Sequence, residues 1–438
     1  MTKREALNGK PYAGNPHVRF DEGEAASTAT SRRGSLLYRI LRGIVLGTLV
    51  LPLFAAKSEI SGESELRSRL PSVFQRIEAQ YRAMEAKVDR QPSGRNVPLD
   101  VRGGTNHFST VKAWTSGFYP GALWLVYEYT RSGFWKDAAV RRTAPYECIR
   151  HFSADHDIGF MLYCSAGNGY RLGVNRDVYR PWLMDAAKAL STRFRPDIGL
   201  IQSWDARELA GAKMQRPVII DNMMNLELLM FAAEHGDADA GHIARCHADT
   251  TDRRHFRADG SAYHIVDYRR DSADIFAYFA GQGASADGAW SRGQAWALYG
   301  FTMMFRLTRD ERYLRRAVSC ADWWLRQSMP EDMVPYWDFS VSGRPGEPRD
   351  SSAAAIAASA LLELHKYVDE SQGCRYRSRA VATLLSLTSD SYFAKEGTNG
   401  HFLLMHSTGF KPNNGQVDVP IVYADYYFLE ALVRFHRL

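Results

Sequence analysis

Cysteine is scarce in this 438-residue sequence, which contains only five. The five are scattered, without a Cys-x-x-Cys pair or the spacing of a zinc site: Cys148, Cys164, Cys246, Cys320 and Cys374. Such an odd, sparse set argues against a disulfide framework. We therefore predict free thiols that are buried in the fold, as isolated cysteines usually are.

Motifs for a bound phosphate, a dinucleotide or a catalytic metal are also missing. The sequence has no P-loop, no G-x-G-x-x-G after a strand, no G-x-S-x-G and no H-E-x-x-H. Four histidines share one region, but their spacing fits no usual metal site: His242, His247, His255 and His264. We predict chemistry that uses neither a metal nor another cofactor.

Positive and negative side chains nearly balance over most of the chain. The formal net charge is +6, but residues 1–42 hold eight Lys and Arg against four Asp and Glu. The 382 residues from position 57 onward carry 47 basic and 45 acidic side chains. A protein that follows nucleic-acid phosphates needs clustered positive charge, so the sequence argues against nucleic-acid binding as the main activity.

The apolar segment near the amino terminus is too short to cross a bilayer comfortably. Residues 43–56 form an uncharged apolar run of 14 residues, whereas a spanning helix needs about 20. Arginines precede it as in a signal peptide: Arg32, Arg33, Arg39 and Arg42. We predict that residues 1–56 are an extension with a signal-like segment, that the protein is exported to a bacterial periplasm, and that no stable membrane association follows leader removal. A tethered or uncleaved segment is the alternative.

A helical period dominates the rest of the sequence. Hydrophobic residues make up 45% of the chain, and from about residue 63 they recur mostly at steps of three and four. The first helix includes Leu70, Ile77 and Met84. Eight more stretches share this pattern: residues 121–129, 182–194, 222–234, 293–307, 311–327, 352–368, 376–389 and 423–436. Segments rich in Gly, Asp and Asn, such as 165–169 and 281–288, are predicted connectors.

The number of predicted helices favours one large helical domain. Few segments alternate with period two, so strands are minor, and no linker divides residues 57–438. At roughly 32 residues for a helix with its connector, this length holds about twelve helices. No fixed-period repeat is visible, which favours a closed ring of helical hairpins over a solenoid. We predict an all-α, single-domain fold for residues 57–438.

Two carboxylates stand apart from the solvated majority. Asp157 lies where an acidic cluster meets an apolar run, and Asp221 begins a helical stretch directly after three aliphatic residues. A helix N-cap would explain Asp221, and a loop or capping carboxylate would explain Asp157. A cap does not explain why Asn222 and Asn225 lie in so apolar a helix. Partial burial would raise the pKa of a carboxyl here, as a general acid near neutral pH requires.

Aromatic residues provide a second indication of a binding site. Trp114, Trp204 and Trp296 lie near Gly, Ser, Asp or Arg at the predicted ends of elements. Their flat faces suit the C–H faces of sugar rings, and ordinary core packing is the alternative. Arg292 begins a helix beside a glycine, where a guanidinium could hold a carboxylate with two hydrogen bonds. A structural ion pair is the alternative for this arginine.

Taken together, these segments resemble the unsaturated glucuronyl hydrolases, family 88 of the glycoside hydrolases. Seven matches occur in order over nearly the whole chain after the leader: residues 114–121, 156–160, 221–225, 292–296, 335–339, 350–354 and 423–427. The resemblance implies an (α/α)6 barrel of six helical hairpins with its active site in a central funnel. It also implies release of a 4,5-unsaturated uronic acid from the non-reducing end of oligosaccharides that polysaccharide lyases produce.

The same resemblance implies roles for individual residues. Asp221 is the general acid and base, and Asp157 is its essential partner carboxylate. Other side chains line the uronate subsite: Trp114, Trp204, His264, Gln282, Arg292 and Trp296. The family hydrates the C4=C5 double bond instead of attacking the anomeric carbon. One carboxyl can therefore serve both steps, and the rule that relates carboxylate separation to stereochemistry does not apply.

The resemblance leaves the substrate partly open. Serines that recognise a sulfated sugar in some members are absent from residues 410–418, where Lys411 could still meet a sulfate. The parent polysaccharide, its sulfation and the oligomeric state stay open. Three alternatives remain: an unsaturated rhamnogalacturonyl hydrolase acting on pectin fragments, a conventional inverting glycosidase that uses Asp157 and Asp221, and a non-catalytic carbohydrate-binding toroid.

Overall fold

The described chain forms a ring of helical hairpins, six helical positions inside and six outside. The computed structural model describes residues 60–209 and 211–438, so the predicted leader, residues 1–56, lies outside the described residues. The inner positions are α2 (Phe118–Thr130), α4 (Ile158–Leu162) continued by α5 (Asn168–Arg171), α7 (Leu226–Glu234), α9 (Ser291–Thr308), α11 (Ser351–Leu364) and α13 (Val422–His436). The outer positions are α1 (Glu63–Val88), α3 (Gly133–Thr143), α6 (Arg176–Ser191), α8 (Ala238–Arg254), α10 (Glu311–Arg326) and α12 (Glu370–Leu387).

Composition separates the inner helices from the outer ones. Every residue of α11 is buried, and α9 is buried continuously from Ser291 to Phe305. The outer helix α10 instead buries one stripe, which includes Tyr313, Ala317 and Trp324. A helix that is apolar all round must be covered on all sides, whereas an amphipathic helix can face water. The ring closes where α13 packs on both α2 and α11, so the predicted (α/α)6 barrel is confirmed.

Helix ends follow ordinary capping chemistry. Four helices begin at an aspartate whose carboxylate accepts a backbone N–H: Asp237 for α8, Asp310 for α10, Asp350 for α11 and Asp369 for α12. Each predicted helical stretch overlaps an observed helix, with ends that differ by several residues in places. Four helices were not predicted. The many polar residues of α3 and α8 obscure the apolar period, and α4 and α5 have only five and four residues, too few to show one.

The predicted connector at 165–169 is wrong. A π-helical turn, Tyr163–Gly167, joins α4 to α5, so this segment is part of an inner helix. Its glycines allow close packing rather than a turn: a Cβ on Gly169 would lie 2.5 Å from Cε2 of Tyr179. Glycine in a sequence indicates either a turn or close approach, and only the packing distinguishes the two. The connector predicted at 281–288 is confirmed.

Within the described residues, nine short strands lie in the connections between helices, in line with the prediction that strands are minor. They pair in antiparallel fashion and comprise β1 (Val97–Arg102), β2 (Thr105–Ser109), β3 (Phe194–Arg195), β4 (Leu200–Ile201), β5 (Arg207–Leu209), β6 (Ala212–Met214), β7 (Arg216–Ile219), β8 (Ile265–Tyr268) and β9 (Ile275–Phe279). The sheet β7-β8-β9 positions the site. Ile219 pairs with Ile265, and the backbone N–H of Ile220 donates to the carbonyl of His264 at 3.0 Å.

The cysteines differ in their exposure to solvent. All five cysteines are free, but only Cys164 and Cys320 are buried, and Cys148 is exposed. The prediction of buried thiols therefore holds for two of the five residues. Cys148 is exposed because it lies in a short surface 3-10 helix, Ala144–Ile149, where it is not held against the core. Across residues 60–438, apart from residue 210, no helix combines the length and the apolar character needed to cross a membrane.

Candidate active site

Asp157 lies immediately before the inner helix α4. Its carboxylate makes no capping hydrogen bond, although its backbone occupies the cap position. The side chain is buried with 8% exposure, and its Oδ1 lies 3.5 Å from Nε2 of His156. The backbone N–H of Asp157 donates to Oδ1 of Asp155 at 2.9 Å, which fixes the turn. A carboxylate that neither caps the helix nor reaches solvent is available for chemistry.

Asp221 lies within a short 3-10 helix, Ile220–Asn225, that joins β7 to α7. The helix-cap interpretation of this residue is wrong, because Ile219 precedes the helix and no side chain caps it. Asp221 is 6% exposed, and its Oδ1 has no hydrogen-bond partner among the described residues. Nε2 of His264 lies 3.7 Å from that oxygen and is likewise unpaired. A sheet on one side and α7 on the other hold this carboxyl in an apolar wall.

Burial controls the protonation of the site. It raises the pKa of Asp221 to about 7, although the charge of Arg292 and the nearby indole N–H of Trp296 both lower this pKa. Burial, with the charges of Asp155 and Asp221, raises the pKa of Asp157. Burial also lowers the pKa of His264 to about 3 and that of His156 to about 3. Near neutral pH both imidazoles are therefore neutral, and Asp221 can release and regain a proton.

Two buried asparagines fix the segment that carries Asp221 against its neighbours. Oδ1 of Asn225 accepts the backbone N–H of Phe160 at 2.9 Å, and Nδ2 of Asn222 donates to the carbonyl of Ile201 at 2.7 Å. A Cβ on Gly159 would lie 2.4 Å from Oδ1 of Asn225, so the helix start can approach only as glycine. The two buried amides thus have structural partners: Asn225 holds the start of α7 against the start of α4, and Asn222 holds the Asp221 segment against β4.

His264 is held by the loop that contains Gln282. The backbone N–H of Gln282 lies 3.0 Å from Nδ1 of His264, and the carbonyl of Ala280 lies 2.9 Å from the same nitrogen. The Gln282 side chain donates to the carbonyl of Gly409 at 3.2 Å. Trp290 packs against the imidazole, with ring centroids 4.2 Å apart. These contacts leave Nε2 of His264 free to face Asp221.

Arg292 is a structural residue of the site wall. It is fully buried, and its Nη1 lies 2.9 Å from Oδ2 of Asp350. Nη1 and Nη2 also donate to the carbonyls of Thr408 and Gly409, each at 2.7 Å. The structure therefore contains the ion pair that was the alternative to a carboxylate clamp. These acceptors use three of the five N–H groups of the guanidinium, and Nε has no partner among the described residues, so a contact of Arg292 with a substrate carboxylate stays a prediction.

The three candidate tryptophans occupy different depths. Trp114 is half-buried and stacks on Tyr423 with ring centroids 5.3 Å apart. Trp204 is half-buried beside His156, with centroids 6.1 Å apart. Trp296 is fully buried among aromatic rings, yet its Nε1 has no acceptor among the described residues. Trp114 and Trp204 thus offer partly open faces, whereas Trp296 offers only its N–H.

Lys411 lies apart from the carboxylates. Its Nζ is 3.2 Å from Oε2 of Glu347 and 5.5 Å from the centre of the Trp337 ring. A sulfate at this lysine would compete with Glu347 for the ammonium. The predicted sulfate contact stays a prediction.

Unpaired buried polar atoms concentrate at this end of the ring. Of fifteen such side-chain atoms among the described residues, seven surround the carboxylates: Nε2 of His156, Oδ1 of Asp221, Oδ1 of Asn222, Nε2 of His264, Nε of Arg292, Nε1 of Trp296 and the Tyr423 hydroxyl. Buried polar atoms are normally paired, so an unpaired set requires an explanation. A polar ligand that enters the funnel would supply the missing partners.

Sequence reasoning named most of these residues but did not single out His156 or Tyr423. Each lies within a matched segment, so position next to Asp157 or at the start of α13 was the available signal. No group of three His, Cys, Asp or Glu side chains that could hold a metal ion occurs in the described part of the chain.

The fold and the site define a class of enzyme. Glycoside hydrolases act with a pair of carboxyl groups, one of which carries a proton near neutral pH. Asp221 and Asp157 provide such a pair at the mouth of an (α/α)6 barrel, beside partly open indole faces. The chain is a glycoside hydrolase.

Comparison with known proteins identifies the family, although no family model matches the sequence. The chain is 40% identical over 372 residues to an unsaturated glucuronyl hydrolase of Formosa agariphila. The aligned region covers 83% of this chain and 92% of the relative. A crystal structure of an unsaturated glucuronyl hydrolase specific for heparin is 39% identical, with a TM-score of 0.79, over 84% of this chain and 97% of that one. A crystal structure of the enzyme of Bacillus sp. GL1, described as responsible for the degradation of glycosaminoglycan, is 31% identical with a TM-score of 0.76. The match covers 84% of this chain and 97% of that one. The chain belongs to the unsaturated glucuronyl hydrolases.

Proposed function

We propose that this enzyme releases a 4,5-unsaturated uronic acid from the non-reducing end of oligosaccharides that lyases cut from glycosaminoglycan-type polysaccharides. The observation that carries the proposal is the Asp221 carboxyl, buried, unpaired at Oδ1 and with its pKa raised to about 7. Such a group can protonate a carbon–carbon double bond and afterwards act as a base. Relatives with the corresponding name support the same activity.

The proposed reaction is a hydration of the C4=C5 bond. The protonated Asp221 delivers its proton to C4, and positive charge develops at C5 and the ring oxygen. The resulting carboxylate removes a proton from a water molecule as its oxygen bonds to C5, which returns Asp221 to its acid form. The C5 hemiketal then opens to a ketone, and its ring oxygen becomes a hydroxyl on C1. This C1 hemiacetal collapses to an aldehyde and expels the remaining oligosaccharide as an alcohol. Overall, one water molecule is consumed, the C4=C5 bond is lost and the glycosidic bond is broken.

Asp157 and His264 support this cycle. Burial, the charge of Asp155 and the charge of Asp221 all raise the pKa of Asp157, so a proton on one of these carboxyls is favoured. His264 is neutral, because burial lowers its pKa to about 3, and its Nε2 lies 3.7 Å from Oδ1 of Asp221. A neutral imidazole can hold the carboxyl in orientation without fixing it as an ion pair.

The relatives support this substrate class. One solved relative is described as specific for heparin, and a relative from Streptococcus agalactiae is named unsaturated chondroitin disaccharide hydrolase. A crystal structure of an unsaturated glucuronyl hydrolase from Streptococcus agalactiae contains the disaccharide dGlcA-GalNAc6S. The partly open faces of Trp114 and Trp204 provide stacking surfaces for the two sugars.

The decisive test supplies lyase-generated disaccharides and follows the absorbance of the conjugated double bond. We expect this absorbance to disappear with glycosaminoglycan disaccharides, while the saturated analogues are not cleaved. Persistence of the absorbance with every unsaturated substrate would exclude hydration. Cleavage of saturated analogues would indicate a conventional inverting glycosidase instead.

We also propose export to the periplasm of a bacterium. The apolar run at residues 43–56 and the four preceding arginines support this location. Fractionation of cells that produce the full chain should recover activity in the periplasm. Activity that stays with the cytoplasm, or with washed membranes, would overturn the proposal.

A further inference from the structure

A charged groove lies on the outside of the ring, between the outer helices α10 and α12. Its volume is about 680 Å³, and its polar lining comprises Asp322, Arg326, Arg375, Ser378 and Arg379. Volumes of this size are typical of ligand sites. The groove is separate from the funnel, since none of its lining residues contacts Asp157 or Asp221 or belongs to an inner helix.

The groove has more positive charge than its own carboxylate can neutralise. Asp322 accepts the Tyr376 hydroxyl at 2.9 Å and lies 3.6 Å from Nη2 of Arg375. Arg326 is exposed at the end of α10 and makes no hydrogen bond or ion pair with the described residues. Three guanidinium groups therefore share one carboxylate, which leaves the groove with two uncompensated positive charges.

Arg379 provides the most specific observation. Its Nη2 reaches the carbonyl of Leu325 at a distance of 3.5 Å, while its Nη1 is buried and has no acceptor among the described residues. Burial lowers the pKa of this guanidinium, so the site as it stands disfavours its charge. A role as cap of the carboxyl end of α10 explains the contact with Leu325. It does not explain the unpaired Nη1, or the two other arginines beside it.

We propose that this groove is a second carbohydrate site, which binds the sulfate or carboxylate groups of an acidic polysaccharide. An anionic oxygen would pair with Nη1 of Arg379, and neighbouring anionic groups along the chain would meet Arg326 and Arg375. At about 680 Å³ the groove is much larger than one inorganic anion, so it has room for a segment of a polysaccharide chain. The choice of polysaccharide as the source of these anions rests on the proposed function.

The test measures binding of a labelled, sulfated oligosaccharide of ten sugars with a saturated non-reducing end, which the catalytic funnel does not process. The full chain is compared with the triple variant Arg326→Gln, Arg375→Gln, Arg379→Gln in low salt. We expect the triple variant to bind at least about tenfold more weakly, and salt to remove the difference because exposed charges are screened. The control Arg180→Gln removes an exposed arginine of α6 and should change the affinity less than twofold.

Two comparisons identify the ligand. Hyaluronan, which carries carboxylates but no sulfate, reveals whether carboxylates suffice, and binding of either polymer through the three arginines supports the proposal. Equal affinity of wild type and triple variant overturns it, as does full competition by millimolar inorganic phosphate, which would indicate a small-anion site. The single variant Arg379→Lys retains the positive charge. Provided that the triple variant is folded, Arg379→Lys should bind the oligosaccharide more tightly than the triple variant does.

Turnover of an unsaturated disaccharide separates this proposal from the proposed function. The triple variant should retain wild-type kcat and KM with this short substrate, because the groove lies outside the funnel. Loss of turnover in the triple variant would overturn a separate site. Absence of turnover in the wild type, together with the expected loss of binding in the triple variant, would refute the proposed function and leave the groove as a polyanion site.

Discussion

Both ends of the inner ring contain buried charged residues, but these residues have partners at one end and lack them at the other. The end where the inner helices begin holds Asp157, Asp221 and His264 with unpaired atoms. The end where they stop surrounds a cavity of about 420 Å³ lined by glutamates and arginines, including Glu227, Glu363, Arg306 and Arg434. None of the four residues named there has an unpaired buried side-chain atom.

The glutamates at the second end have arginine partners. Arg306 donates from Nη1 to both Glu363 oxygens, at 2.8 and 2.7 Å, and also pairs with Glu227. Arg434 lies 2.9 Å from Oε2 of Glu363. Glu430 accepts hydroxyl hydrogen bonds from Tyr299 at 2.9 Å and from Ser359. Charges paired in this way hold the ends of the inner helices together, and they leave none of these charged groups without a partner.

The presence or absence of partners changes the pKa of the buried carboxyls. Burial raises the pKa of a carboxyl at both ends, but the charges of Arg306 and Arg434 outweigh burial at Glu363 and lower its pKa. At Asp221 the single nearby arginine, Arg292, is already paired with Asp350, so burial prevails and the pKa rises to about 7. At similar burial, Glu363 is therefore a fixed structural anion and Asp221 a proton donor, whereas burial raises the pKa of Glu227 despite the charge of Arg306.

The largest effect is expected from Asp221→Asn. We expect kcat to fall at least about 10³-fold, because the amide cannot donate or take up the proton, while folding and substrate binding persist. Loss of double-bond absorbance measures the rate, and the exposed residue Asp177 offers the control Asp177→Asn, which should keep wild-type activity. Substantial residual turnover in Asp221→Asn would remove Asp221 from its role.

Glu363→Gln tests the opposite end of the ring. The substitution leaves Arg306 and Arg434 with one carboxylate fewer, so we expect a loss of about 3 kcal/mol in the free energy of unfolding and little change in kcat. Urea unfolding measures the loss. Glu370→Gln, at the exposed start of α12, should cost less than about 1 kcal/mol. A Glu363→Gln variant as stable as Glu370→Gln would contradict the structural reading of the ionic cluster.

The pH dependence should reveal the raised pKa of Asp221. Only the acid form protonates the double bond, so we expect kcat/KM to fall about tenfold per pH unit above about 7. Folding favours the acid form as well, since the pKa is higher than the value of 3.8 for a free aspartate. The stability from this group is complete below about pH 4 and is lost as the pH rises through about 7.

The control for this pH dependence is the stability of Asp221→Asn, which lacks the titrating group. Relative to the wild type, the variant should become more stable between pH 5 and pH 8. A difference in unfolding free energy that stays constant over this range would show that Asp221 is already ionised when folded.

The smallest expected effect concerns Trp204. Trp204→Ala removes a partly open aromatic face, and we expect KM to rise about fivefold with kcat within twofold of the wild type. Trp204→Phe retains an aromatic face and should show a smaller increase. If both variants keep the wild-type KM, Trp204 packs in the wall without touching sugar.

Some of the site could be predicted from sequence, and the failures have physical causes. The helical period and the absence of a linker indicated one ring of helices, because a buried helix must present apolar residues at every turn. The Asp221 cap and the connector at 165–169 were wrong, because aspartate and glycine each serve two purposes that look alike in a linear pattern. A cap needs a free backbone N–H to contact, and a turn needs space that the packing of Gly169 does not leave.

The sequence by itself determined the all-helical ring, the absence of a general excess of charge and the segments that resemble one hydrolase family. These properties are carried by composition and local spacing. Only the tertiary structure decided which charged groups find partners: Arg292 is occupied by Asp350, Glu363 by two arginines, and Asp221 by none. Pairing joins residues far apart in the chain, and it sets the pKa of each buried group, so no local pattern could have revealed it.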